Sequence, residues 1–230
     1  MKLIKQGYEI LDPEVLDKEA VDRIYRRIER AGRTCYKSED KITDGSARKF
    51  VAGLVKRGHE AMIEHAGMTV RFITDRGISH EIVRHRIASF AQMSTRYCNY
   101  SDDKFGNEIT LIDCRKYMET LTSDHDKAVV AYDAWKLSCE IAEKTYLKMI
   151  ENGVKPEIAR GVLPNSIMTE IVVTADMREW RNIFKLRTVG TTGRPHPMIV
   201  DLTAPLLQEV AGKMPELFGD LWDQYVGIRA

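Results

Sequence analysis

The longest periodic segment of this chain constrains its fold most. Between residues 123 and 152, apolar side chains recur at spacings of three and four residues, which is the period of an α-helix that buries one face. These side chains are Ala128, Tyr132, Trp135, Cys139, Ala142, Tyr146 and Met149. Gly153 follows them as a stop signal. We therefore predict one long helix over 123–152 whose apolar face packs into a core; an interaction scaffold built on this helix is the alternative.

Shorter patterns complete the predicted secondary structure. Apolar side chains at helical spacing predict further helices over 13–32, 44–58, 78–88, around Ile158–Ala159 up to Pro164, over 177–187, and from Pro197 onward with a break at Pro205. Alternating or continuous apolar runs predict strands over 68–74, 108–113 and 167–174. We therefore predict a single α+β domain over residues 1–230, in which an antiparallel sheet packs against helices that include the long central one.

Composition limits the classes of partner. The 230 residues carry 35 Lys plus Arg against 34 Asp plus Glu, a net charge of +1, which favours neither nucleic acid nor a membrane surface as a partner. No apolar run approaches the ~18 residues of a membrane-spanning helix, and Lys5, Gln6 and Glu9 stand where a signal peptide would be apolar. The four cysteines form no CxxC pair. We expect a cytoplasmic protein with reduced thiols.

One segment concentrates positive charge locally. Between Ile82 and Ser101 the chain has three arginines and one histidine but no acidic residue. Arg84, His85 and Arg86 are consecutive, so on a helix they would span ~200° and could not share one solvent-exposed face. Short hydroxyl and amide side chains follow them. We predict a phosphate-binding site here, because arginine grips phosphate in a bidentate manner; a solvated basic helix face is the alternative.

A second set of basic residues lies on the predicted helix 177–187. Arg178, Asn182 and Lys185 follow one another at spacings of four and three, so they share a polar stripe opposite an apolar side. Such a stripe is typical of a helix surface and also of a binding site. Arg160 stands alone among apolar residues, where a buried ion pair and a ligand contact are equally consistent with the sequence.

Several common site types are not indicated. His59-Glu60 and His80-Glu81 begin like a HExxH zinc motif, but the next histidines, His65 and His85, come too late to face the first across a helical turn. We predict no metal site. The chain also has neither a GxGxxG segment nor a Walker A loop, so any nucleotide is held by another type of loop.

Four motifs in order resemble those of a known enzyme family. Arg84-His85-Arg86, seven further residues, and then Ser94 with Arg96-Tyr97 are similar to the RHR-x7-S signature of the flavin-dependent thymidylate synthases. Gly58 to His65, Gly153 to Pro164 and Asp176 to Arg187 resemble three other motifs of the family. The chain departs from the common pattern at Ala61, at Ala91-Gln92 and at Asp176.

The resemblance implies an activity. It is the reductive methylation of 2′-deoxyuridine 5′-monophosphate (dUMP) to thymidine monophosphate, with methylenetetrahydrofolate as the carbon donor, FAD as the cofactor and NADPH as its reductant. It also implies a homotetramer whose active sites combine residues of neighbouring chains, with no nucleic acid and no membrane partner. Symmetric assembly brings copies of separate arginine clusters together.

The resemblance also implies roles for individual residues. Arg187 matches the catalytic arginine at the pyrimidine edge. The positions that match dUMP contacts are Glu81, Arg84, Gln92, Met93, Ser94, Thr95, Arg96, Arg160 and Arg187. Those that match FAD contacts are His59, Ala61, Glu64, Arg84, His85, Arg86, Gln92, Asp176, Arg178, Asn182 and His196. The runner-up hypothesis is a non-catalytic module that binds nucleotides or single-stranded nucleic acid, with Phe90, Tyr97 and Tyr100 available for stacking.

Overall fold

The computed structural model describes residues 1–122 and 124–229. Its α-helices are α1 (Lys18–Tyr36), α2 (Ser46–Lys56), α3 (Arg76–Ile82), α4 (Arg115–Leu121), α5 (His125–Glu151), α6 (Pro156–Ala159), α7 (Met177–Phe184), α8 (Pro197–Lys213) and α9 (Pro215–Arg229). Its strands are β1 (Lys2–Ile4), β2 (Gly7–Ile10), β3 (Gly67–Asp75), β4 (Ala88–Gln92), β5 (Thr110–Ile112) and β6 (Met168–Asp176). Over the described ranges, we find no helix with the length and apolar character needed to cross a membrane.

The strands form two sheets. Strands β2, β3, β6 and β4 make a four-stranded sheet in that order, and β1 pairs with β5 in parallel, with Leu3 opposite Leu111. The predicted combination of helices with an antiparallel sheet is confirmed. Strand β5 lies within the predicted strand 108–113. Its parallel partner β1 was not predicted, because three residues are too few to show an alternating pattern. The chain divides into two compact units: residues 1–7, 72–84 and 91–171 form the first, and residues 8–71, 85–90 and 172–230 the second.

The long helix belongs to the first unit. The structure confirms it as α5, although Ser123, the first residue of the predicted range, lies outside the described residues. Cys139 and Tyr146 of α5 are buried in a core with Tyr100 and Leu111. The same helix also exposes a second apolar row, which includes Val130, Leu137 and Ile141. The helix therefore does pack one face into a core, as the periodicity predicts.

The second unit is mainly helical. The predicted helix 13–32 is two elements: a 3₁₀ turn over Pro13–Leu16, and then α1, whose N-cap Asp17 is extended. Gly32 does not end α1, which continues to Tyr36. A Cβ atom at Gly32 would lie 2.6 Å from the ring of Phe50, so this glycine serves the close packing of α1 on α2. Sequence alone cannot distinguish a packing glycine from a helix stop.

Two other predictions are wrong. The helix predicted over 78–88 ends at Ile82, and Ala88–Gln92 is a strand whose Ser and Ala side chains conceal the alternation of burial. Pro205 does not break the last helical region but lies inside α8, which continues to Lys213. A proline removes one hydrogen bond from a helix; here ten buried residues of α8 anchor the helix to the core on both sides of Pro205.

Candidate active site

A tight turn after β4 holds the predicted nucleotide-binding residues of the first unit. The carbonyl oxygen of Ser94 accepts hydrogen bonds from the backbone N–H groups of Tyr97 and Cys98, at 3.2 and 3.0 Å. The Ser94 Oγ accepts a third from the backbone N–H of Arg96, at 3.3 Å. The serine hydroxyl thus shapes the turn by local side-chain to backbone bonding. Arg96 and Tyr97 are exposed at its tip, with the guanidinium 5.3 Å from the ring centroid.

Hydrogen bonds within the first unit anchor both ends of this segment. Gln92 donates through Nε2 to the hydroxyls of Ser79 and Thr169, at 2.8 and 3.2 Å. Arg160 donates through Nη1 to the Thr95 hydroxyl at 3.2 Å. Thr95 is only 4% exposed. The two ends of the turn are therefore tied to β6 and to the segment that follows α6.

Three arginines of the first unit, Arg84, Arg96 and Arg160, are exposed in the single chain. Arg160 is exposed, so of the two alternatives that the sequence leaves open for this residue, the buried ion pair is wrong. Arg84 is exposed just beyond the end of α3, and Glu81 is half-buried within that helix. The contact of Arg96 with Glu157 is long, at 3.7 Å, and both side chains are about half exposed; such a pair contributes little to stability. The Arg96 guanidinium can therefore turn toward an anion at small energetic cost.

The second unit contains a row of hydrogen-bonded polar side chains, which is buried at His85 and Glu179. The Nδ1 of His85 and the Oε1 of Glu179 lie within hydrogen-bond distance, at 2.9 Å. The Nε of Arg187 donates to the Nε2 of His85, at 3.1 Å. The His85 and Glu179 side chains are 3% and 7% exposed. Asn182 adds a hydrogen bond from Nδ2 to Glu179, at 3.1 Å. His85, one of the predicted FAD contacts, therefore joins a helix carboxylate to the predicted catalytic arginine.

Arg187 lies in an unusual stretch of backbone. The helix predicted over 177–187 is regular to Phe184 and continues as a π-helical turn over Lys185–Val189. Gly190 ends this turn with a φ of 82°, and its N–H bonds the carbonyl of Lys185 at 2.9 Å. The Thr203 hydroxyl donates to the carbonyl of Arg187 at 3.2 Å. Wide turns of this kind occur frequently at functional sites.

Two cavities of the second unit gather most of the predicted FAD contacts. One, of about 370 Å³, is lined by His59, Ala61 and Arg178 together with Tyr36 and Leu54. Another, of about 310 Å³, shares Arg178 with the first. Its lining residues are Glu60, Glu64, Ile87, Asp176, Arg178, Glu179, Asn182 and Lys185. The polar stripe predicted from Arg178, Asn182 and Lys185 is confirmed, since all three side chains line this cavity.

Opposite charges are paired within the second cavity. Arg178 bonds Glu64 on the exposed rim, and this bond is the main reason that the pKa of Arg178 is raised. Burial would raise the pKa of Glu60, but the hydrogen bond from Lys185 and the charge of Arg181 outweigh burial and lower it. Arg181 itself is 2% exposed and forms two bonds to Asp220, at 2.7 and 2.8 Å. Arg181 is therefore a structural residue, while Arg178 and Lys185 face the cavity.

Two predicted FAD contacts act as helix caps. The Asp176 carboxylate accepts a hydrogen bond from the backbone N–H of Glu179 at 2.8 Å, which caps α7. His196 caps α8, where its Nδ1 accepts from the N–H of Met198 at 3.2 Å. A cap requires only an acceptor, so aspartate suits the Asp176 position. Arg86 and His196 are exposed and line neither of these two cavities.

Three residues of this site, Glu179, Glu60 and Lys185, could not be assigned to it from the sequence. Glu179 lies three residues before Asn182, a spacing that predicts their contact, but its partner His85 is 94 positions away and no local pattern joins them. Glu60 belongs to the motif over residues 58–65 and to the incomplete zinc motif, but neither gives it a role in the site. Lys185 lies on the predicted polar stripe, and the sequence gives it no role in the site either.

Comparison with known proteins finds a matching family model and similar relatives. The model of the Thy1 family, described as thymidylate synthase complementing protein, matches residues 19–216. A flavin-dependent thymidylate synthase of Geobacter sulfurreducens is 31% identical over 197 residues, covering 83% of this chain and 78% of the relative. One of Mycolicibacterium vanbaalenii is 30% identical over 199 residues, covering 84% of this chain and 78% of that protein.

A solved structure has the same fold. The UMP/dUMP methylase PolB from Streptomyces cacaoi, bound with 5-Br dUMP, superposes with a TM-score of 0.75 at 22% sequence identity. The superposition covers 95% of this chain and 96% of the other. The RHR-x7-S motif, the family match and the common fold lead to one conclusion: this chain belongs to the Thy1 family of flavin-dependent thymidylate synthases.

Proposed function

We propose that this protein converts dUMP to thymidine monophosphate, taking the carbon from methylenetetrahydrofolate and using FAD reduced by NADPH. Membership of the family supports the reaction type. The observation that carries the proposal is the position of Arg187, whose half-buried guanidinium is held by the His85 ring at 3.1 Å. A cation fixed in this way suits a reaction in which negative charge develops on a pyrimidine ring.

Arg187 is the catalytic residue of the proposal. It would donate to the pyrimidine edge, where charge grows on N3 and O4 as the ring is activated. An oriented donor of this kind contributes ~2 to 4 kcal/mol of transition-state stabilisation. Because its Nε bonds His85, the guanidinium plane is already oriented before substrate binds. Little reorganisation remains for the chemical step.

The turn of the first unit would hold the nucleotide phosphate. Exposed Arg96 and Arg160 supply charge, and Arg84 lies at the end of α3. The Ser94 and Thr95 hydroxyls and the backbone N–H groups of the turn supply neutral donors. Gln92, Met93 and Glu81 complete the proposed set. Ser94 acts as a binder, because its Oγ already accepts the N–H of Arg96 and no described hydrogen bond joins it to a general base.

The residues of the two cavities fit a flavin dinucleotide. Its diphosphate needs cations, which Arg178 and Lys185 of the second cavity would provide, with exposed Arg86 from outside both cavities. Its ring system needs both flat apolar surface and hydrogen-bonding groups, which Ala61, His59 and Asn182 offer. FAD, once reduced, supplies the hydride that completes the new methyl group. Glu64, Asp176, His85 and His196 would orient these side chains or contact the cofactor directly.

The proposal extends to assembly and location. Exposed Arg84, Arg86 and Arg96 suit a site completed by a neighbouring chain, so we propose a homotetramer with shared active sites. We also propose a cytoplasmic location, where the four cysteines would stay reduced. The nucleic-acid module is not favoured, because the family match covers the segment on which it relied.

An Arg187→Ala variant tests the catalytic assignment. We expect turnover to fall by roughly 100-fold or more and dUMP binding to weaken, because a fixed transition-state donor is lost. Steady-state formation of thymidine monophosphate and calorimetric titration with dUMP measure the two effects.

Arg23→Ala is the matched control. Arg23 is an exposed arginine of α1 whose contact with Glu19 is long, at 3.9 Å. Its removal should leave both quantities unchanged, and circular dichroism should show that both variants are folded. Wild-type turnover in Arg187→Ala would overturn the assignment.

A further inference from the structure

The proton arrangement of the hydrogen-bonded row from Glu179 to Arg187 follows from its donors. Arginine has five N–H donors, has no acceptor and stays protonated in proteins. Its Nε faces the Nε2 of His85 at 3.1 Å, so Nε2 must be the acceptor and carries no proton. The ring proton therefore lies on Nδ1, which faces the carboxylate of Glu179 at 2.9 Å.

Glu179 is the group that selects this tautomer. An ionised carboxylate only accepts hydrogen bonds, so it favours the Nδ1–H form of the ring that it faces. Both side chains are almost fully buried, at 3% and 7% exposure, so water cannot easily replace either partner. Asn182 also holds the carboxylate: its Nδ2 lies 3.1 Å from Oε1, the oxygen that faces His85, and 3.3 Å from Oε2.

We propose that Glu179 is a positioning residue, which sets the tautomer of His85 and through it the orientation of the Arg187 guanidinium. This inference rests on the proposed function for its effect on turnover but not for its effect on the ring. If Nε2 carried a proton, it would oppose the Nε–H of Arg187 and the guanidinium would turn away. A displacement of about 1 Å can reduce turnover roughly 100-fold.

Nitrogen NMR of the purified protein, labelled in histidine, tests whether Glu179 sets the tautomer of His85. The signal of His85 is assigned by its loss in a His85→Asn variant. We expect wild-type His85 to carry its proton on Nδ1 at neutral pH. Glu179→Ala should lose this preference, and Glu179→Gln should keep it because the amide oxygen still accepts. A proton on Nε2 or on both nitrogens in the wild type would overturn the inference, as would an unchanged ring in Glu179→Ala.

Turnover tests whether the His85 tautomer in turn orients the Arg187 guanidinium. We expect kcat to fall roughly 10- to 100-fold in Glu179→Ala and to recover substantially in Glu179→Gln. Glu29→Ala is the matched control, since Glu29 is 1% exposed and bonds Arg33 and Ser46, at 2.9 and 2.8 Å, but no residue of the site. It should lose stability while keeping kcat and the His85 tautomer.

The two proposals fail in different ways. If the wild-type protein makes no thymidine monophosphate, the proposed function is refuted. The His85 tautomer measured by NMR still tests the role of Glu179 in that case. Active wild type with an equally active Glu179→Ala variant refutes the positioning role alone.

Discussion

At the scale of residues, arginines that look equivalent in the sequence have different roles in the structure. Arg178, Arg181 and Arg187 all follow Asp176 within 11 positions. Arg181 is buried against Asp220 and Glu60, Arg178 is exposed at a cavity, and Arg187 is held by His85. Helical periodicity predicts the polar stripe that contains Arg178, but it cannot tell which arginine has acidic partners from distant segments. Only the folded contacts separate the structural arginine from the other two.

An Arg181→Ala variant tests this distinction. We expect the free energy of unfolding to fall by about 3 kcal/mol, since removing one partner of a buried ion pair leaves the other uncompensated. Asp220 is half exposed and Glu60 keeps Lys185, which limits the loss. Urea denaturation measures it, and Arg23→Ala serves again as the exposed control. A change below about 0.5 kcal/mol, the ordinary scale of a surface substitution, would contradict the structural role of Arg181.

At the scale of elements, the regular segments were predictable and their junctions were not. The long helix α5 and the strands β3 and β6 follow from their apolar periods. The segment from Arg84 to Gln92 was predicted to be helical as far as residue 88, yet it leaves α3 and becomes β4. His85 is buried there because it forms hydrogen bonds with Glu179 and Arg187, and neither partner is near it in sequence. The π-helical turn that carries Arg187 likewise has no sequence period of its own.

Gly190, which ends this π-helical turn, gives a test at the element scale. A Cβ atom there would lie 2.8 Å from the carbonyl oxygen of Gly193, and its φ of 82° disfavours other residues. We expect Gly190→Ala to lower the free energy of unfolding by ~1 to 3 kcal/mol.

Gly212→Ala is the control for this test. Gly212 lies in α8, and a Cβ atom added to it would meet no atom within 4 Å, so alanine there should stabilise the protein by up to ~1 kcal/mol. Urea denaturation compares the two variants. Equal stabilities would contradict the role given to Gly190.

At the scale of the whole molecule, family motifs predicted more than periodicity did. The combination of helices with an antiparallel sheet and the family are confirmed. All predicted dUMP contacts except Arg187 belong to the first unit, and most predicted FAD contacts belong to the second. The single domain, the homotetramer and the individual site residues stay predictions. Residue spacing could not supply them, because they depend on contacts between distant segments and between copies of the chain.

The visible absorption spectrum of the purified protein, with FAD added and before and after anaerobic addition of NADPH, tests the central claim most directly. We expect a bound flavin with its yellow absorption, which NADPH bleaches in the presence of dUMP. Arg178→Ala should bind FAD more weakly, while Arg23→Ala should bind it as the wild type does. A wild-type protein that retains no FAD under any of these conditions would refute the proposed flavin-dependent reaction.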